Sequence, residues 1–210
     1  MRPRYTVSIY VAAPGTPLAN GTTSAAGHLY FEISHGQDRS SFGFAPSAHG
    51  TVTGPGEVSN GDVQNYSAPF YRRTMEISKA QYEKLKDFAE NPEKHNFDMN
   101  YNGATNGCID FTWGALNHAG LHGRPLPIME LKNFEGNLKP LDNVGPIRTI
   151  QAQFPSSKLN KEHYNDMPPR SLKQRLISDA DLPPDDRTLL TSIPGHVAEL
   201  DKQHGRQHDN

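Results

Sequence analysis

One thiol and ten imidazoles are the groups through which this 210-residue chain is best equipped for covalent chemistry. The thiol, Cys108, opens the apolar run Cys108-Ile109-Asp110-Phe111-Thr112-Trp113, directly after the turn-forming stretch Asn-Tyr-Asn-Gly-Ala-Thr-Asn-Gly at 100–107. That order predicts a helix closing near Ala119-Gly120, with the sulfur in its first turn and Thr105 or Asn106 as the cap. The N–H groups of a first turn have no intrahelical acceptor and the helix dipole is positive there, so a thiolate is stabilised. The same groups can hold the oxyanion formed when sulfur attacks a carbonyl, which makes acyl transfer the implied chemistry. The competing reading is a small buried hydrophobe. A lone cysteine excludes an intramolecular disulfide and a multi-cysteine zinc site.

A catalytic thiol needs a base, and His28 is the best placed of the ten histidines. It begins a strand directly after Gly27, on the face opposite Leu29 and Phe31, where it could meet a helix packed on that side. Gly27 would let another backbone or a substrate approach closely. The plainer reading is a strand-end histidine. His35 sits in a turn, His95 in a polar linker, and His118 and His122 follow the cysteine helix, while His196, His204 and His208 lie in the tail. Nothing shows the paired spacing of a zinc helix, so neither a metal nor another cofactor is expected.

The elements that must position these groups follow from periodicity. Tyr5, Val7, Ile9 and Val11 alternate with polar positions as a strand, and this alternation argues against reading the N-terminus as a secretory signal. Leu29, Phe31 and Ile33 face one way along a second strand, His35-Gly36-Gln37-Asp38 supplies a hairpin turn, and Phe42 and Phe44 continue the apolar face on the return. Ser47 to Ala68, rich in Gly, Ser, Asn and Pro, reads as a long loop. Phe70 to Ile77 alternates again, and Ser78-Lys79-Ala80-Gln81 is a capping box opening a helix through Tyr82, Leu85, Phe88 and Ala89 that Pro92 ends. Of the 18 aromatic residues, 17 lie at or before Phe154, so the core is expected within 1–154. Residues 155–210 read as a proline- and charge-rich extension, partly disordered or in short helices at Ser171–Ile177 and Arg187–Ile193.

Gly27-His28-Leu29-Tyr30-Phe31-Glu32-Ile33, the hairpin ending Ser41-Phe42-Gly43-Phe44-Ala45-Pro46, and Asn106-Gly107-Cys108-Ile109-Asp110-Phe111 together resemble the circularly permuted NlpC-type branch of the papain-like cysteine peptidases. In that branch the strand histidine precedes the helix cysteine. The resemblance covers roughly residues 5–150, and the chain is also similar to certain bacterial type VI secretion effectors. It implies an α+β fold in which an antiparallel sheet packs against a helix bearing the nucleophile at its N-terminus. It further implies Cys108 as nucleophile and His28 as general base. The third, orienting residue is expected on the strand after the histidine, which points to Ser40, Ser41, Ser47 or His49. If Ser34 pairs with Arg39, Glu32 faces Ser41 and His28 faces Ala45. Ser41, on the His28 face, is then the choice, against the reading of a solvated strand serine. Asn106 is either an oxyanion donor or simply a helix cap, Asp110 serves the helix N-terminus, and Trp113 is core.

The function so implied is an amidase or peptidase acting on peptidoglycan stem peptides. It would be an antibacterial effector made in the bacterial cytoplasm without a signal peptide and delivered to the periplasm of target cells. Its expected partners are a cognate immunity protein and a component of the secretion apparatus. Two alternatives stand beside it: an acyltransferase or phospholipase of the lecithin:retinol acyltransferase-like type, and a non-catalytic binding module. Lys and Arg number 21 against 23 Asp and Glu, a balance that removes the footprint of a general nucleic-acid binder. No apolar run approaches the length of a membrane span.

Overall fold

The alternation at the N-terminus becomes strand β1 (Tyr5–Ala12), which pairs antiparallel with β2 (His28–His35) on one side and β5 (Tyr71–Ile77) on the other. Its register sets Val7, Ile9 and Val11 opposite Ile33, Phe31 and Leu29, and the resulting aliphatic face is fully buried. Burying each such side chain contributes about 1.5–3 kcal/mol, which fixes the register because a one-residue slip would expose the whole face. β2 turns into β3 (Asp38–Pro46) with Ser34 opposite Arg39 and Glu32 opposite Ser41, the register read from the hairpin sequence. With β4 (Thr53–Ser59), β6 (Asn100–Asn102) and β7 (Lys161–Tyr164), a computed structural model describes an α+β fold around a seven-stranded antiparallel sheet of order β6-β4-β3-β2-β1-β5-β7. The described residues are 4–48, 50–126 and 129–179, with side chains through 175.

Helices α2 (Lys79–Glu90) and α3 (Cys108–His118) lie on the Leu29, Phe31 and Ile33 face. The capping box forms as the sequence predicts: Gln81 N donates to Ser78 Oγ, and Ser78 N to the Gln81 side chain. Leu85 and Phe88 of α2 then meet Phe111 and Ala115 of α3 in one core with Phe31 and Phe44. Thr112 Oγ1 donates to the Leu29 carbonyl at 3.2 Å, tying α3 to the strand that carries His28. Trp113 is fully buried, as expected.

The stretch expected to be a loop, 47–68, instead contains β4 and the short helix α1 (Asp62–Asn65). β4 carries almost no apolar alternation, since Val58 is its one large aliphatic residue. Pairing with β3 from Gly43↔Ser59 to Pro46↔Gly56 makes it a strand, and Gly56 lies against the Phe44 ring so closely that a Cβ would fall 2.3 Å from Cζ. The helix that meets the His28 face is therefore α1 and not the cysteine helix. Tyr10, Ala12 and Tyr30 form a second small cluster there with Val63 and Tyr66.

The sheet also extends past residue 154. β7 pairs with β5 from Tyr71↔Tyr164 to Thr74↔Lys161, Tyr71 Oη donates to Glu162 at 3.0 Å, and Asn165 Nδ2 donates to the Pro69 carbonyl. The helix anticipated at 171–177 appears as Leu172–Asp179, whereas that at 187–193 and the histidines at 196, 204 and 208 lie outside the described residues. Among the described residues no helix is long and apolar enough to cross a membrane.

Candidate active site

Pairing between β2 and β3 stops at Phe31↔Phe42, and from Gly43 onward β3 is paired with β4. His28 stands at this open end of β2, 5% exposed, and its Nε2 lies 3.0 Å from Oδ2 of Asp62, itself 4% exposed. The other Asp62 oxygen accepts from Ser59 Oγ at 2.9 Å, so both carboxylate oxygens have partners in a buried setting. The pair fits because β3 contributes Gly43 beneath it: a Cβ there would lie 1.9 Å from Asp62 Oδ2 and 2.7 Å from His28 Nε2. Gly27, with φ +83°, admits not a substrate but the β1 backbone, since a Cβ would sit 2.6 Å from the Ala12 carbonyl oxygen.

Aromatic rings complete the surroundings of the imidazole. Tyr66 stacks on it at 4.9 Å between centroids and Tyr30 at 5.4 Å. Burial disfavours the charged imidazolium, but Tyr66, the Asp62 carboxylate and Cys108, with the Asp62 hydrogen bond, outweigh it and hold His28 well above the ordinary imidazole range. Cys108 also acts on Tyr66 and Tyr101, whose phenols are pushed up first by burial. His28, Tyr66, Tyr101 and Cys108 thus form one electrostatic neighbourhood, assembled from β2, the end of α1, β6 and the start of α3.

Cys108 is the first residue of α3, 8% exposed, and lines a cavity of about 300 Å³ with Tyr101, Thr105, Asp110, Glu135 and Asn137. The cap is Gly107 rather than Thr105 or Asn106, and Gly107 N donates to Asp110 Oδ2 at 2.7 Å, so Asp110 closes the helix terminus. Burial followed by the Glu135 charge raises the Asp110 carboxyl, against backbone hydrogen bonds that lower it. The opposite wall is held by Asn143, which is fully buried. Its Oδ1 accepts from Trp113 Nε1 at 2.9 Å and Asn137 N at 2.8 Å, and its Nδ2 donates to the carbonyls of Asn137 and Lys139.

Cys108 lies within electrostatic reach of His28, and the remaining expected residues have other partners. Ser41 Oγ donates to the Asn60 carbonyl at 3.1 Å, which anchors the turn leading into α1 and so supports Asp62 from behind. Asn106 Nδ2 donates to the carbonyls of Asp98 and Asn100, both at 2.7 Å, committing both amide protons to the loop before Cys108 rather than to an oxyanion. Ser40 pairs with Ile33, Ser47 N donates to Pro55 O, and position 49 lies outside the described residues. The carboxylate beside His28 comes from Asp62, which sequence reading missed. The signal available was Ser59-Asn60-Gly61-Asp62, a turn into a helix start with an acidic residue in its first turn. Comparison of the chain with known protein families, curated proteins and solved structures gave no match.

Proposed function

We propose that the protein is a cysteine hydrolase that cleaves an amide bond, with Cys108 as nucleophile, His28 as general base and Asp62 as the group orienting the imidazole. The observation that carries this reading is a buried imidazole hydrogen-bonded to a buried carboxylate, within electrostatic reach of Cys108. With Nε2–H directed at Asp62, Nδ1 is the basic nitrogen. In the reactive pair the imidazole already carries the thiol proton, in keeping with its raised affinity for it, and the thiolate Sγ attacks the substrate carbonyl carbon while first-turn N–H groups of α3 meet the oxyanion. The C–N bond then breaks and the amine leaves with the proton from His28. Water attacks the thioester, gives its proton to His28, and the carboxylic acid departs as that proton returns to sulfur. The cavity beside Cys108 carries carboxylates and an amide next to Ile109 and Leu138, a lining that suits a peptide.

The resemblance of the His28 and Cys108 motifs to permuted NlpC-type, papain-like domains narrows the substrate to peptidoglycan stem peptides. The role is then that of an antibacterial effector acting in a target cell's periplasm and countered by an immunity protein. Incubating the purified full chain with murein should give shortened muropeptides with new amine termini, a product lost in Cys108→Ala and His28→Ala. Unchanged profiles with folded protein, or activity retained without the thiol, overturn the proposal. Thiol-dependent fatty-acid release from phospholipid instead would move the same residues to the acyltransferase class.

A further inference from the structure

We propose that Asp87, His95 and His118 form a binding site for a late first-row divalent ion such as zinc, distinct from the thiol site. The three residues come from α2, from the 3₁₀ turn Pro92–His95 and from the last residue of α3, and one ligand atom of each lies within 4.8 Å of the others. His95 Nε2 is 2.9 Å from Asp87 Oδ2, and the His95 and His118 rings are 4.2 Å apart between centroids. Tetrahedral zinc with bonds near 2.0–2.1 Å sets its ligand atoms roughly 3.3 Å apart, so from within 4.8 Å the widest pair closes by at most about 1.5 Å, a distance side-chain rotation can cover. Two imidazoles and one carboxylate select zinc, copper or nickel over magnesium or calcium.

The supporting groups are also in place. Phe88, 4% exposed, lies against both imidazoles at 5.5 and 6.0 Å, and Asn91 Nδ2 donates to the outer Asp87 oxygen at 3.2 Å. Such contacts limit ring rotation and orient ligands. The exposed Lys84 ammonium is the opposing charge, on a long side chain free to turn toward water. Asp87 is exposed and both histidines are half-buried, so solvent can fill the remaining coordination position. Ten residues of α3, roughly 15 Å at 1.5 Å per residue, separate His118 from Cys108. The ion would clamp the far ends of α2 and α3 rather than take part in thiol chemistry. The sequence hides this set because its members sit at 87, 95 and 118 with no helical i,i+4 pairing.

Titration of the metal-stripped 210-residue chain with Zn(II) by calorimetry tests the site. The wild type should bind zinc and gain thermal stability from it. His95→Ala, His118→Ala and Asp87→Asn should each lose one equivalent or weaken it at least tenfold, whereas His163→Ala should behave as wild type. Cobalt in the same site should show d–d bands without sulfur charge transfer, which separates it from Cys108. Because Asp87 is on the surface, its substitution tests the site even where a histidine variant folds poorly. An absence of zinc binding by the wild type, or the same stoichiometry and affinity in Asp87→Asn and in every folded histidine variant, overturns the proposal.

Discussion

The Asp62 carboxylate has two oxygens and two partners, His28 and Ser59, and the turn before it is held by the Ser41 hydroxyl. This division of labour separates two residues that both face the histidine side of the sheet. Asp62→Asn keeps the volume but removes the negative acceptor that fixes the imidazole tautomer, and should lower turnover by roughly 10²-fold or more. Ser41→Ala removes only a tether, a neutral hydrogen bond of about 1 kcal/mol, and should cost less than about tenfold. Steady-state rates for the two variants decide the order, and equal losses would return Ser41 to the centre of the site. Gly43→Ala is the sharper probe, since its methyl overlaps the Asp62 oxygen. It should slow iodoacetamide labelling of Cys108 at neutral pH together with hydrolysis, whereas Gly145→Ala, whose Cβ meets nothing within 4 Å, should alter neither.

At the scale of elements, what the sequence revealed was whatever carries its own local chemistry. The Ser78 box, the Ser34↔Arg39 register and the helix beginning at Cys108 each depend on neighbours a few residues away. β4 and α1 stayed hidden because their cause is distant: a strand of Thr, Gly, Pro and Glu is specified by its partner β3, and a four-residue helix has no periodicity to read. Asp62 is hidden with them, while Ser41 follows from the resemblance, which puts the orienting residue on the strand after the histidine. The wall at 134–143 has the same character, being organised by Asn143, which sequence alone does not mark. Asn143→Ala strips a partner from the buried Trp113 Nε1 and partners from both backbone groups of the half-buried Asn137. Each orphaned group costs about 1–3 kcal/mol, with partial relief from entering water, so a loss of about 2–4 kcal/mol in urea unfolding is expected. Because Asn137 lines the cavity, KM should rise in the same variant while the His28–Asp62 pair stays intact.

For the whole molecule, the buried imidazole links stability to pH. His28 sits where the sheet meets α1, against Asp62, Tyr66 and Tyr30 and within electrostatic reach of Cys108, so global unfolding releases it to water. Its folded pKa is raised: burial acts against the charge, but Tyr66, Asp62 and Cys108 prevail. The folded state therefore holds the proton more tightly than the unfolded chain, where an ordinary imidazole titrates near about 6.5. The sign follows from linkage. The stabilising contribution is complete below the unfolded value and declines as pH rises from there through the raised folded value, with a slope of at most about 1.4 kcal/mol per pH unit for one proton. Urea unfolding of the wild type at successive pH values should show this fall above neutrality, and His28→Gln, which cannot take up the proton, should flatten it. A wild-type stability that is level or climbs across that window would mean the imidazole rests neutral beside Asp62, and the pair would then orient the base without holding its charge.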